Sequence, residues 1–240
     1  MIKKMIEITI GKRVCTLAEP SDHVLRVAAM FGLGVDETRE EVVLPRTRVR
    51  LGGGEVVYVT GASGSGKSTI LKLLKQRLEV REDVRVIDFE GGDLEGDLPV
   101  VDQFGEERLS DVLRWLSVSG LNDAFVMLRK PKELSDGQRY RLRLAKAICE
   151  AEVLSREEVE DHLVVVMADE FGATLDRLTA KVIARNIGKY VRSEQGRRLC
   201  FMAATTHDDL LEAFEANVLV EKGLGGEVSM YEKDRLMACQ

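Results

Sequence analysis

Features that would assign this chain to a special class are scarce. Its 240 residues include only four cysteines, Cys15, Cys149, Cys200 and Cys239. They are far apart and form no C-x-x-C pair, which argues against a zinc site and a disulfide framework. Long hydrophobic runs are missing: Leu163 to Ala168, the longest, falls far short of the ~20 residues that span a bilayer. Met1 to Ile10 is broken by Lys3, Lys4 and Glu7 and lacks a small-residue cleavage site, so no signal peptide is expected. Repeats, low-complexity tracts and obvious linkers are also missing. These absences together predict a cytoplasmic protein.

What is present is ordinary for a globular chain. Lys and Arg number 35 against 41 Asp and Glu, a formal net charge of −6, which lowers the expectation of a dedicated nucleic-acid binder. A hydrophobic fraction of 45% excludes intrinsic disorder and collagen-like sequence, and the length suffices for a core without metals or disulfides. One large α/β unit fits this length.

Local patterns divide the chain. Ile6, Ile8 and Ile10 alternate with polar residues before Gly11-Lys12-Arg13 and Val14 to Leu17, which reads as an opening hairpin. Ser21 is placed to cap a short helix carrying Val24, Val27, Ala28 and Phe31 on one face, a pattern that favours core packing for Phe31. Val42 to Leu51 and Glu55 to Thr60 read as a second strand pair joined by Gly52-Gly53-Gly54. From there strands alternate with helices. Strands are expected at 84–89, 163–168 and 199–205, and helices at about 66–79, 106–117, 137–151 and 178–192. A small hairpin over Val218 to Val220 and Val228 to Tyr231 closes the pattern. Leu163 to Ala168 is apolar without alternation, as expected of a strand covered on both faces of a parallel sheet.

Gly61-Ala62-Ser63-Gly64-Ser65-Gly66-Lys67-Ser68 matches G-x-x-x-x-G-K-[ST] between a strand and a helix. Glycines let backbone N–H groups converge on phosphate oxygens, and the helix N-terminus adds partial positive charge. Lys67 would reach the β- and γ-phosphates, and Ser68 would coordinate Mg²⁺. Neither Asn122, Asn186 nor Asn217 precedes Lys-x-Asp, the guanine-reading box, which makes ATP the expected nucleotide.

Three further segments are weaker signals taken singly. Asp169-Glu170 ends the apolar strand, where an aspartate holds Mg²⁺ through water and a glutamate polarises an attacking water, although two acids also simply begin many loops. Leu134-Ser135-Asp136-Gly137-Gln138 precedes a basic helix with Arg139, Arg141, Arg143 and Lys146. It reads either as a γ-phosphate grip or as an N-cap before a solvated face. His207 follows a strand, where it is placed either to donate to a γ-phosphate or to play a structural part.

In their order, these segments resemble the ATP-binding-cassette (ABC) ATPase family. The phosphate loop is Gly61–Ser68, the Q-loop Gln103, the signature LSDGQ Leu134–Gln138, the magnesium aspartate Asp169, and the switch histidine His207. The resemblance implies a P-loop core, a mostly parallel sheet flanked by helices, with an antiparallel β subdomain and a shortened helical subdomain at about 104–150. The cassette would occupy 41–240, with residues 1–40 as a hairpin-and-helix extension. It implies Mg-dependent ATP hydrolysis with Glu170 as general base, assisted by Lys67, Gln103 and His207. Nucleotide contacts would come from Gly61, Ser63, Gly64, Ser65, Gly66, Lys67, Ser68, Thr69, Ser135, Gly137 and Gln138, and Mg²⁺ contacts from Ser68, Gln103 and Asp169. A phosphate loop and its own signature lie too far apart in this family to hold one nucleotide, so a head-to-tail homodimer on ATP is implied.

The sequence departs from the family at Ala173, where a serine is usual, and shows no obvious adenine-stacking aromatic, Phe31 being the nearest candidate although its helical neighbours favour core packing. Only 31 positions separate Gln103 from Leu134 (134 − 103), short for a transporter cassette. The wording around the motifs looks like a soluble ABC group often fused to a predicted acetyltransferase domain, which here would be a separate chain. The expectation is a non-transport ATPase gating a partner, with a transporter's nucleotide-binding subunit as one alternative and, on Arg139, Arg141, Arg143, Lys146 and Arg46, Arg48, Arg50, a nucleic-acid-associated ATPase as another. The transporter alternative predicts a hydrophobic notch near Gln103 and Phe104.

Overall fold

Apolar side chains on both faces put one set of strands at the centre of the molecule. The computed structural model describes residues 4–16, 19–34, 39–89, 94, 96–157, 162–224 and 226–232. Strand β3 (Glu55–Gly61) buries Val56 and Tyr58 on one side and Val57 and Val59 on the other. Strands β5 (Leu163–Ala168) and β6 (Leu199–Ala204) are buried along their whole length. With β4 (Val84–Asp88), β7 (Val218–Lys222) and β8 (Val228–Glu232) they form a six-stranded sheet ordered β4-β5-β6-β3-β7-β8. Every neighbouring pair is parallel except β7 with β8, the hairpin expected at the end.

Helices cover both sides of the sheet. One side carries α2 (Lys67–Glu79), whose Ile70, Leu71, Leu74 and Leu78 pack on Val57, Val59, Val165 and Met167. The other side carries α3 (Leu109–Val118), α5 (Asp136–Glu157), α6 (Arg177–Val191) and the short α7 (Leu210–Phe214) over Val56, Tyr58, Val164 and Val166. Among the described residues no helix is long and apolar enough to cross a membrane.

The start of the chain differs from its sequence-based reading. Instead of a hairpin, β1 (Met5–Thr16) is one strand, antiparallel to β2 (Arg39–Gly52) from Met5↔Gly52 to Thr16↔Arg39. Gly11-Lys12-Arg13 is not a turn; the register shifts there, as at a β-bulge. The long ladder places Ile6, Ile8, Ile10, Leu44, Val49 and Leu51 together in the core beside α2, which a short isolated hairpin could not do. The reading that paired Val42–Leu51 with Glu55–Thr60 is corrected as well. β2 pairs with β1, and Gly52-Gly53-Gly54 carries the chain from one sheet into the other. Gly53 donates to the Lys4 carbonyl at 3.2 Å and Gly54 to that of Leu199 at 2.8 Å, and a Cβ on Gly53 would collide with the Arg197 carbonyl.

Helix α1 (Asp22–Phe31) forms as expected, with Ser21 Oγ accepting from Val24 N at 3.3 Å and Gly32 closing it in the left-handed conformation. Its side chains do not pack as expected. Only Ala28 is buried, and Phe31 is 74% exposed, so the core role read for Phe31 is corrected. Within the shortened helical subdomain expected at about 104–150, one short helix follows α3: α4 (Ala124–Met127), started by Asp123, whose carboxylate accepts from Phe125 N at 2.8 Å.

One buried carboxylate ties the helical side together. Glu152 of α5 accepts from Arg114 at 2.7 Å and Trp115 Nε1 at 2.8 Å on α3, and also from Arg156 and from the Tyr190 hydroxyl on α6. Burial alone would raise its pKa. Hydrogen bonds from Tyr190 and Trp115 and the charges of Arg114 and Arg156 outweigh that and hold it below the ordinary carboxylate value.

Candidate functional site

The segment Gly61–Ser68 forms the turn from the end of β3 into α2. Gly61, Gly64 and Gly66 all have positive φ, at 148°, 75° and 104°, a run of conformations that side-chain-bearing residues rarely adopt. At Gly61 the space is closed too, because a Cβ would run into the Lys222 carbonyl on neighbouring β7 and crowd Ser65 Oγ. Lys67 begins α2, and its ammonium donates to the carbonyls of Gly61 at 2.8 Å and Ala62 at 2.9 Å, so it lies over the loop. Ser65 Oγ is buried without a hydrogen-bond partner. An orphaned hydroxyl inside a cradle of curled backbone at a helix N-terminus fits a bound anion such as a phosphate chain.

A cavity of about 420 Å³ opens over this loop. Ser63, Gly64, Gly66, Lys67, Ser68 and Thr69 line one wall, and Asp169, Glu170, Ala173 and Thr205 to His207 line the other. The two walls meet because β5 and β6, which end at Ala168 and Ala204, run parallel to β3 in the same sheet. Functional groups thus collect at the carboxyl ends of parallel strands. Asp169 Oδ1 accepts from Glu170 N at 3.0 Å. Glu170 itself has φ 46°, an uncommon value for a residue with a side chain. Phe171 N donates to the Ala204 carbonyl at 2.8 Å and fixes the exit of this turn. Ser68 with Asp169 supplies oxygen ligands suited to Mg²⁺, which binds through one or two protein groups plus substrate phosphates. Among the described residues no group of three or more His, Cys, Asp or Glu is placed to hold a metal ion.

His207 is held from behind. Its amide donates to Thr205 Oγ1 at 3.3 Å, its carbonyl accepts from the buried Tyr58 hydroxyl, and neighbouring Asp208 accepts from Thr60 at 2.8 Å. Desolvation first, and then the charge of Arg177, lower its pKa below the ordinary histidine value, against an opposing pull from Asp208.

The remaining predicted residues lie outside this cavity. Gln103 is buried at the end of the turn Val100–Asp102, donating to the Leu98 carbonyl at 2.8 Å. Ser135 and Gln138 bond each other reciprocally, Ser135 N to Gln138 Oε1 at 3.0 Å and Gln138 N to Ser135 Oγ at 3.3 Å, as a capping box at the start of α5. Gly137 lies beside the Thr174 carbonyl and Leu175.

Three residues that sequence reasoning did not assign to this region help to shape it. The Tyr140 hydroxyl accepts from Gly172 N at 3.0 Å, linking the start of α5 to the turn after Glu170. Arg141, read as part of a basic face, instead donates to the carbonyls of Gly137 at 3.1 Å and Gly120 at 2.9 Å. Lys222, only 3% exposed, lies behind Gly61 and Gly66. Tyr140 and Arg141 adjoin the signature and could have been suspected; a lysine ending an edge-side strand offers no comparable signal.

Residues 44–155 match the protein-family model described as ABC transporter. The uncharacterized ABC transporter ATP-binding protein MJ0796 of Methanocaldococcus jannaschii is 26% identical over 234 residues, covering 82% of this chain and 92% of that one. The aliphatic sulfonates import ATP-binding protein SsuB of Burkholderia pseudomallei is 28% identical over 185 residues, 70% of this chain and 54% of that one. A dimeric structure of the MJ0796 cassette has TM-score 0.57 at 20% identity over 81% of this chain and 92% of that chain. A second, dimeric and bound to ADP and Pi, has TM-score 0.57 at 18% identity over 94% and 99%. These structural likenesses show the cassette fold. Taken with the match over residues 44–155, they show an ABC-type ATPase cassette fold, one that binds and hydrolyses ATP with Mg²⁺.

Proposed function

We propose that two copies of this chain close head to tail on ATP and that hydrolysis opens them, moving a bound protein partner. The observation that carries this reading is the division of the site. Phosphate loop, Asp169, Glu170 and His207 share one cavity, whereas Ser135, Gly137 and Gln138 sit apart from it at the start of α5. A second copy would bring its Ser135 hydroxyl and Gly137 N–H, at a helix N-terminus, to the γ-phosphate. The dimeric structures of a protein with this fold support a homodimer.

In this reading Gly61, Ser63, Gly64, Ser65, Gly66, Ser68 and Thr69 hold the phosphates through backbone and hydroxyl donors, and Lys67 moves from its loop carbonyls onto the β- and γ-oxygens. Ser68 and Asp169 would hold Mg²⁺, which when bound neutralises charge on those oxygens, and Gln103 would join them only by leaving the Leu98 carbonyl and entering the cavity. Glu170 accepts a proton from the attacking water, and His207 donates to the γ-phosphate. Because His207 has a lowered pKa, its neutral form persists to lower pH than for an ordinary histidine. Hydrolysis should therefore stay level as pH falls to about 6.5, the ordinary value. Arg177→Ala, which removes a cation that lowers this pKa, should move the acid limb upward. A pH–rate profile of both proteins checks the order, and identical limbs would contradict this placement.

Exposed Leu98, Leu109, Leu113, Phe125 and Leu128 lie on α3, on α4 and beside the 100–102 turn that leads to Gln103. An apolar surface there suits a partner that reports to the nucleotide through Gln103. A membrane subunit fits it at least as well as the non-transport role expected from sequence, since the relatives are named as transporter ATP-binding proteins. The arginines behind the nucleic-acid alternative are largely engaged: Arg139 and Arg141 bond the start of their own helix, and Arg48 and Arg50 pair with Glu7 and Glu232. The acetyltransferase expectation finds no counterpart in the compared relatives and is not carried into this reading. Capture of partners on wild-type protein and on Phe125→Glu, with ATP, tests the docking surface. Equal recovery of the same partner by both would sink it.

A further inference from the structure

A cleft of about 850 Å³, against about 420 Å³ for the cavity over the phosphate loop, opens between β1 and the end of α2. One wall is the run Glu7–Arg13 of β1 together with Val42, Leu44, Pro45 and Arg46 of β2; Arg77, Val80 and Arg81 form the opposite wall. Strand β1 has one edge that is not paired with β2. That edge is open: β1 and β2 form a two-stranded sheet, and among the described residues β1 pairs only with β2. Arg77 is ten residues along α2 from Lys67, about 15 Å at 1.5 Å per residue, so the cleft is separate from the phosphate loop.

Its charge runs against the acidic balance of the chain. Lys12, Arg13, Arg46, Arg77 and Arg81 face it, with Glu7 as the acid among its lining residues. Arg81 is already matched by Asp83 at 2.9 Å and Glu7 lies 3.7 Å from Arg48. Lys12, Arg46 and Arg77 therefore set the sign of the cleft. Between these cations the walls are apolar, with Ile8, Ile10 and the exposed Val80.

We propose that β1 accepts an extended acidic segment of a partner protein as a third strand. A strand edge offers both N–H and C=O groups, which a peptide backbone satisfies in both directions. A nucleic-acid phosphate lacks donors for the exposed carbonyls, and the lining contains no aromatic side chain on which a base could stack. A second copy would bring its own Lys12, Arg46 and Arg77 against these, which charge repulsion disfavours.

The test uses a capped alternating glutamate–valine peptide as long as Glu7–Arg13, titrated into the full chain by fluorescence anisotropy. Saturable binding that weakens with salt is expected, with a loss of roughly fivefold to tenfold in Arg46→Glu/Arg77→Glu while ATP hydrolysis stays unchanged. On wild-type protein the fully N-methylated peptide, which keeps the charge but cannot donate from its backbone, should lose the binding; this holds even if the double variant fails to fold. Four results would overturn the proposal: no saturable binding, equal binding of the N-methylated peptide, tighter charge-dependent binding of oligothymidylate, or self-association of the chain that Arg77→Glu abolishes.

Discussion

Replacing Glu170 by glutamine is expected to slow ATP hydrolysis by about a hundredfold to ten-thousandfold, the range for loss of a general base, while leaving ATP binding intact. Glutamine keeps the size and the hydrogen-bonding reach of glutamate but cannot take the proton from water. The backbone gives a control on this interpretation. Glu170 sits at φ 46° with its N–H on Asp169 Oδ1, and glutamine meets the same backbone cost, so thermal stability should not change. With the opening step blocked, Glu170→Gln in Mg-ATP should elute from size exclusion as a dimer, and wild-type protein should return to monomer as ATP is consumed. Monomeric Glu170→Gln at saturating ATP would contradict both the assignment and the pairing.

Removing the Glu152 side chain is expected to cost the most stability. Alanine there strands the buried indole N–H of Trp115 and the hydroxyl of Tyr190, and it leaves Arg114 and Arg156 with only Asp111 and Glu107 as counter-charges. Losing one partner of a buried pair costs about 3–5 kcal/mol. Both arginines are partly exposed, so solvent screens their share and the lower end, about 3 kcal/mol, is expected. Glu152→Gln, which retains hydrogen-bonding capacity without charge, should lose less. The pH dependence has a definite sign: a carboxyl held below its unfolded value, about 4.3, adds stability above that pH and loses it as pH falls through the folded value. Urea unfolding of wild-type and Glu152→Gln proteins should therefore converge toward acid pH; a constant gap would contradict the charged network.

The nucleotide cavity was legible because its parts are local. Gly61–Ser68 curls through glycines that are contiguous in sequence, and Asp169-Glu170 and His207 directly follow apolar strands whose lack of alternation marks them as central. What the sequence hides is partnership over distance. Gly11-Lys12-Arg13 has the composition of a turn, and nothing local reveals that Ile6, Ile8 and Ile10 gain more from a long ladder with β2. Phe31 has helical spacing suited to a core, yet among the described residues no element covers that face of α1. Glu152 reads as one acid among many on a charged helix, and its role depends on Trp115 and Tyr190, each nearly forty positions away. Arg141 illustrates the reverse error: a residue read as solvated charge is spent on two backbone carbonyls.

The head-to-tail pairing has a direct measurement in mixed variants. Lys67→Ala should fail at its own phosphate loop, and Ser135→Arg should obstruct only the loop of its partner, so each variant alone is inactive. Mixed in equal amounts, about half of the dimers contain one of each, and one of the two sites in those dimers is then built from an intact loop and an intact signature, giving up to about a quarter of wild-type hydrolysis. Recovery of that order on mixing is the predicted result. A mixture as inactive as its separate components, or a Ser135→Arg protein hydrolysing ATP fully by itself, would contradict it.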